Sequence, residues 1–140
     1  RRHLRADAID FCARVRDVRP DVVFGCDIIA GFPTESDAMF QNTVDLVKEA
    51  GLTYLHVFPY SEREGTPAVK MPSVPTDIRK ARAAQLRELG KAQEAALYKS
   101  CVGKKAHVLM ESDGIGRTEQ FVPVKCDAMQ AGELASVSLD

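Results

Sequence analysis

Two short runs hold the residue types that could grip a small molecule. The first is Gly31-Phe32-Pro33-Thr34-Glu35, after a β-branched stretch at 21–29; the second is residues 59–67, after another such stretch at 53–58. In parallel α/β proteins ligands sit at the carboxyl ends of strands, so both runs are candidate walls of one site. Gly31 would let backbone approach a ligand closely, or would simply make the turn. Asp27 lies inside an otherwise apolar strand, where a carboxylate needs a partner, a polar cavity or a ligand. His56 alternates with Tyr54 and Phe58 and shares their face, as a hydrogen-bonded core histidine or as a catalytic one. Arg63, between Glu62 and Glu64, is either an exposed ion pair or a planar donor fork for a carboxylate or phosphate.

The cysteines offer no such constellation. Cys12, Cys26, Cys101 and Cys126 are separated by 14, 75 and 25 residues, which excludes a CxxC zinc site or a close-spaced iron–sulfur motif built from them. They are expected to be single reduced thiols. Charge is nearly balanced at −1 over 140 residues, but it is unevenly spread: +3 over 1–19, −5 over 20–75, +3 over 76–100 and −2 over 101–140. Basic helices beside an acidic centre would suit a polyanion, although a solvated helix face gives the same pattern. In the last stretch Lys104, Lys105, Arg117, Lys125 and Phe121 would make a shallow nucleic-acid face. The six acids among them argue against it on spacing alone.

The elements that must hold these residues follow from periodicity. Leu4, Ala8, Phe11, Val15 and Val18 form one helical stripe that stops at Pro20. Residues 21–29 are apolar on both parities and predict a strand covered on both faces. Thr34-Glu35-Ser36-Asp37 matches the [ST]-x-x-[DE] start of a helix, with Phe40, Val44, Leu46 and Val47 on its apolar face and Gly51 after its end. A second strand at 53–58 completes the α-β-α-β order of an α/β fold with a right-handed crossover. A long Pro-rich loop covers 59–75. A helix from Thr76 or Asp77 then carries Ile78, Ala81, Gln85, Leu86 and Leu89 at helical period, tolerating Gly90. From residue 101 the period shortens. Val102 to Met110, Thr118 to Lys125 and 134–139 read as strands, with a turn at 113–116, and predict a small all-β barrel. The boundary is expected near 99–102, giving a 1–100 α/β domain and a 101–140 β domain.

With 45% hydrophobic and 28% charged residues, the composition is that of a globular protein. No apolar run approaches the ~20 residues of a membrane span. The chain opens without Met inside a basic segment and is expected to be a piece of a longer cytoplasmic protein.

The run DIIAGFPTE from Asp27 to Glu35, followed by TYLHVFPYSEREGTPA from Thr53 to Ala68, resembles the radical-SAM methylthiotransferases. LHVFPYS from Leu55 and REGTP from Arg63 most resemble the branch that modifies N6-threonylcarbamoyladenosine in tRNA. The resemblance covers nearly the whole chain. It implies the last part of a partial (β/α) radical-SAM barrel over 1–100, then a TRAM-like β-barrel over 101–140 that ends early. It also implies that Ile29, Gly31, Phe58, Pro59 and Tyr60 line the adenosine of S-adenosylmethionine, with Arg63 on the cofactor or substrate side of the barrel mouth; Asp27 is a further candidate for substrate contact. Lys104, Lys105, Arg117 and Phe121 would contact tRNA at its anticodon stem-loop. The family's CxxxCxxC is missing here, so the [4Fe–4S] ligands are expected outside this chain, and the piece alone is expected to be inactive. The resemblance leaves open a sister enzyme acting on isopentenyladenosine tRNA or on a ribosomal protein aspartate. A stand-alone RNA-binding module is the competing reading. Two parallel strands alone leave an edge along 22–29, which predicts that the piece covers it by self-association or by repacking its helices against it.

Overall fold

The structure, a computed structural model, describes residues 3–112, 114–127 and 129–140. Asp113, in the expected turn, and Arg1 and Arg2, in the basic opening segment, lie outside the described residues. The chain divides into two compact units, 1–94 and 95–140.

The first unit is α1 (Arg5–Val18), β1 (Phe24–Ala30), α2 (Asp37–Glu49), β2 (Leu52–Pro59), a 3-10 turn (Pro67–Lys70) and the start of α3 (Thr76–Cys101). Strands β1 and β2 are parallel neighbours, with Asp27 opposite His56, Ile29 opposite Phe58 and Ala30 opposite Pro59. The core gathers Cys12, Phe40, Val44, Val47, Leu52, Val57, Ala83 and Leu86 between the sheet and the helices.

Several sequence expectations need correction here. β1 is covered on one face only. Phe24, Cys26 and Ile28 pack against the core, while Gly25, Asp27 and Ile29 stand on the exposed side. Asp27 is therefore not a buried carboxylate, and His56 is likewise exposed. In α1 the inward residues are Ala8, Ile9, Cys12 and Val15, whereas Leu4, Phe11 and Val18 are exposed. Phe11 instead lines a groove of about 980 Å³ along the free edge of β1. Helix α2 is capped by Ser36, whose Oγ accepts from the Met39 N–H at 3.2 Å, and not by Thr34, which sits at φ 70°. On α3 the buried line is Arg82, Ala83, Leu86 and Gly90, so Ile78, Ala81 and Gln85 face outward.

The second unit is an antiparallel sheet of β3 (Lys105–Ser112), β4 (Ile115–Thr118), β5 (Pro123–Lys125) and β6 (Leu134–Ser138), in the order β5-β4-β3-β6. Among the described residues this sheet does not close into a barrel: β5 and β6 are its two edges. The stretch expected as one strand, 118–125, is broken by a tight loop. Phe121 takes φ 65° and donates its N–H to the Thr118 carbonyl at 2.9 Å. Buried Thr118 fixes the loop, its Oγ1 accepting from the N–H groups of Gln120 and Val122, each at 3.2 Å. Val102 falls outside β3. Gly116 was expected in a turn but lies within β4. Its missing side chain admits the strand pair: a Cβ there would fall 2.5 Å from Val108 Cγ1 and 2.8 Å from the Leu109 carbonyl oxygen.

Candidate functional site

Because β1 and β2 are parallel, both candidate loops leave the same end of the sheet. They touch there. The Tyr60 N–H donates to the Ala30 carbonyl at 2.8 Å, and the Phe32 and Tyr60 rings meet edge-on with centroids 5.3 Å apart. Ile29 and Phe58 stand side by side on the exposed face just below this rim, 54% and 55% exposed. One residue pair deeper on the same face are Asp27 and His56. Tyr60 is buried, and its hydroxyl finds no hydrogen-bond partner among the described residues. A flat apolar ring laid on Ile29 and Phe58 would have polar groups on both sides, the loop backbone above and the Asp27–His56 pair beneath.

Gly31 has a structural explanation. It adopts φ 73°, and a Cβ would lie 2.6 Å from Arg79 Cγ, so the glycine lets α3 approach the first loop. Its N–H is taken by Glu35 Oε2 at 2.9 Å. Glu35 in turn accepts from Arg82 Nη1 at 2.7 Å, while Arg82 Nη2 reaches Asp37 at 2.6 Å. Burial works against the Arg82 charge, but the hydrogen bonds it donates to the Asp37 and Glu35 carboxylates outweigh this and raise its pKa above the usual arginine value.

The second loop is held from the same helix. Arg79 donates to the Val74 carbonyl at 2.6 Å and the Tyr60 carbonyl at 3.2 Å, lies over the Tyr60 ring at 5.5 Å, and pairs with Glu62 at 3.4 Å. Arg63 is exposed and forms no ion pair with Glu62 or Glu64 among the described residues. Neither Arg79, nor Arg82, nor the role of Glu35 emerged from the sequence. Charged residues on a buried helical stripe are read as an outer face. The usable signal was their spacing of three, directly after a functional-looking loop.

In the second unit Arg117 and Phe121 come together: the guanidinium lies 4.4 Å over the ring and pairs with Glu111 at 3.1 Å. They line a shallow groove of about 410 Å³ with His107, Leu109, Glu119 and Leu134. Lys105 points to the same face of β3 by register, and Lys104 precedes the strand; neither lines the groove.

All four cysteines are free thiols, and among the described residues no group of three His, Cys, Asp or Glu could hold a metal ion. No described helix is long and apolar enough to cross a membrane.

No family model matches the chain. Individual relatives do. It is 57% identical over 91% of its length to the threonylcarbamoyladenosine tRNA methylthiotransferase MtaB of Rickettsia prowazekii. The chain belongs to the methylthiotransferase family. It is also 37% identical over 85% of its length to a probable threonylcarbamoyladenosine tRNA methylthiotransferase of Methanocaldococcus jannaschii. Against a tRNA-2-methylthio-N(6)-dimethylallyladenosine synthase of Cereibacter sphaeroides the figure is 33% over 99%. The chain spans 30%, 28% and 34% of these three relatives, about a third of a methylthiotransferase.

Proposed function

We propose that this chain is the C-terminal part of a tRNA-modifying radical-SAM enzyme. The whole protein would add a methylthio group to C2 of N6-threonylcarbamoyladenosine at position 37. The observation that carries this is the 57% identity to the Rickettsia relative, over a stretch long enough to take in both rim loops. The dimethylallyladenosine branch matches at 33% and 39%.

On this reading residues 1–100 end the radical-SAM barrel and 101–140 are its TRAM-like domain. The rim fits an adenosine: exposed Ile29 and Phe58 offer a flat apolar seat, and the unpartnered Tyr60 hydroxyl offers a hydrogen bond. S-adenosylmethionine supplies radical chemistry and a methyl group when bound, with the [4Fe–4S] ligands beyond this chain. Ile29 and Phe58 hold the base, Gly31, Pro59 and Tyr60 wall its edge, and Asp27 and Arg63 face the substrate side. Arg117 and Phe121 give the anticodon stem-loop a guanidinium and an exposed ring, and Lys104 and Lys105 supply phosphate contacts. Such work belongs in the cytoplasm. Standing alone, the chain covers the free edge of β1 with a second copy, which light scattering would register as a dimer.

The test is to express the full-length protein in cells lacking methylthiolated adenosines and to analyse digested tRNA by mass spectrometry. Methylthio-threonylcarbamoyladenosine is expected. Methylthiolated isopentenyladenosine instead would assign the sister branch, and no modified nucleoside at all would sink the reading.

A further inference from the structure

We infer that Arg79 and Arg82 are positioning residues for the adenosylmethionine rim: one turn of α3 grips both loops and sets their separation. This rests on the preceding assignment of the rim. Arg82 acts through Glu35. Its guanidinium holds both the Glu35 backbone carbonyl (2.9 Å) and the carboxylate (2.7 Å), and that carboxylate holds the Gly31 N–H at 2.9 Å. The orientation of the backbone directly after Ile29 is thus fixed from α3. Arg79 acts on the other loop through the Tyr60 carbonyl and ring, and its stem fills the space that Gly31 leaves open. Residues three apart on a helix share a face, so the two grips are rigidly linked.

A purely packing role would be served better by apolar side chains. Replacing buried ion pairs with well-packed hydrophobic residues is often neutral or stabilising. The rest of the same stripe, Ala83, Leu86 and Gly90, is indeed uncharged. Arg87, further along the helix, donates to the Val57 carbonyl within β2 at 2.9 Å, so of the three arginines only Arg79 and Arg82 reach the loops. Neither is among the groups assigned to contact the adenosine, so both work through residues that are.

The experiment uses the full-length protein, with equilibrium binding of S-adenosylmethionine measured by calorimetry without reductant, alongside a thermal unfolding midpoint. Arg82→Met is expected to weaken binding about tenfold or more, the scale of one charge-assisted hydrogen bond. The double variant Glu35→Gln with Arg82→Met removes both charges. Its unfolding midpoint should return toward wild type while its affinity stays low, a split that a merely structural pair would not show. Arg79→Lys keeps the charge and the stem against Gly31 but loses the fork. It should fold normally and bind several-fold more weakly, with tRNA affinity unchanged. Wild-type cofactor affinity in the folded double variant or in Arg79→Lys overturns the inference. If wild type itself does not bind S-adenosylmethionine, the rim assignment has failed and the positioning role falls with it.

Discussion

The two units place their candidate ligand-facing residues by different physics. In the first, long side chains reach across from a helix: Arg79 and Arg82 fasten loops 19 and 47 residues away in sequence. In the second, one short side chain acts on its own loop: the Thr118 hydroxyl oxygen accepts from two N–H groups a few residues on and holds Phe121 in the left-handed region, beside Arg117. The first solution depends on buried charge and is coupled to the whole core. The second is local and shallow. A compact cofactor needs walls held at a fixed distance, whereas a polymer lying on a sheet needs only an exposed ring and a cation.

The sharpest break of this contrast is a matched pair of arginine deletions. Arg82→Met should cost the first unit about 3 kcal/mol, because it strands the largely buried Glu35 carboxylate. Arg117→Met, in a partly exposed pair, should cost under ~1 kcal/mol. Denaturant midpoints read both, and hydrogen exchange should confine the Arg82 effect to the first unit. Equal costs would erase the distinction. Gly31→Ala comes next, at about 2–4 kcal/mol, from the left-handed backbone and the collision with Arg79 together. Thr118→Val should then cost about 1–3 kcal/mol by leaving two N–H groups without an acceptor, with faster amide exchange confined to the second unit.

Cys26 gives the smallest effect. Burial, the neighbouring Asp27 and then Cys12 raise its thiol pKa. A raised folded-state pKa favours the native protein below the unfolded thiol value of about 8.5, and this contribution fades as pH rises through the folded value. The denaturation midpoint of wild type should therefore fall more than that of Cys26→Ala between about pH 8 and pH 10. Parallel curves would remove Cys26 as the titrating group.

The order of elements in the first unit was legible because β-branched runs and a Ser/Thr-Asp helix start alternate cleanly. The parallel pairing put both loops at one end. Side-chain facing was less legible. Residues 21–29 read as apolar on both parities because Ile29 is apolar, yet it points with Asp27 to the open face. On α3 the stripe was read one residue out of phase, since Ile78 looks like a core residue and Arg79 does not, until Val74 and Tyr60 supply carbonyls for it. The break between β4 and β5 left no mark. Glu119, Gln120 and Phe121 are not turn-forming types, and only the Thr118 hydroxyl makes the bend affordable. Which residues touch adenosine or RNA remains a matter of the family likeness, because composition and spacing alone name no ligand.

Helix α3 packs on the first unit through Ala83 and Leu86, and on either side of them a glycine permits a close approach. Near its start Arg79 presses where Gly31 has no side chain, and Gly90 sits where a Cβ would come within 3.3 Å of Leu55. These contacts are about 16 Å apart along the axis at 1.5 Å per residue. A bulky replacement at Gly90 would therefore act as a wedge under one end of a stiff beam, and the beam would tilt. The displacement would emerge at the opposite end, where Arg79 and Arg82 lie, so a substitution remote from either loop would still loosen their hold.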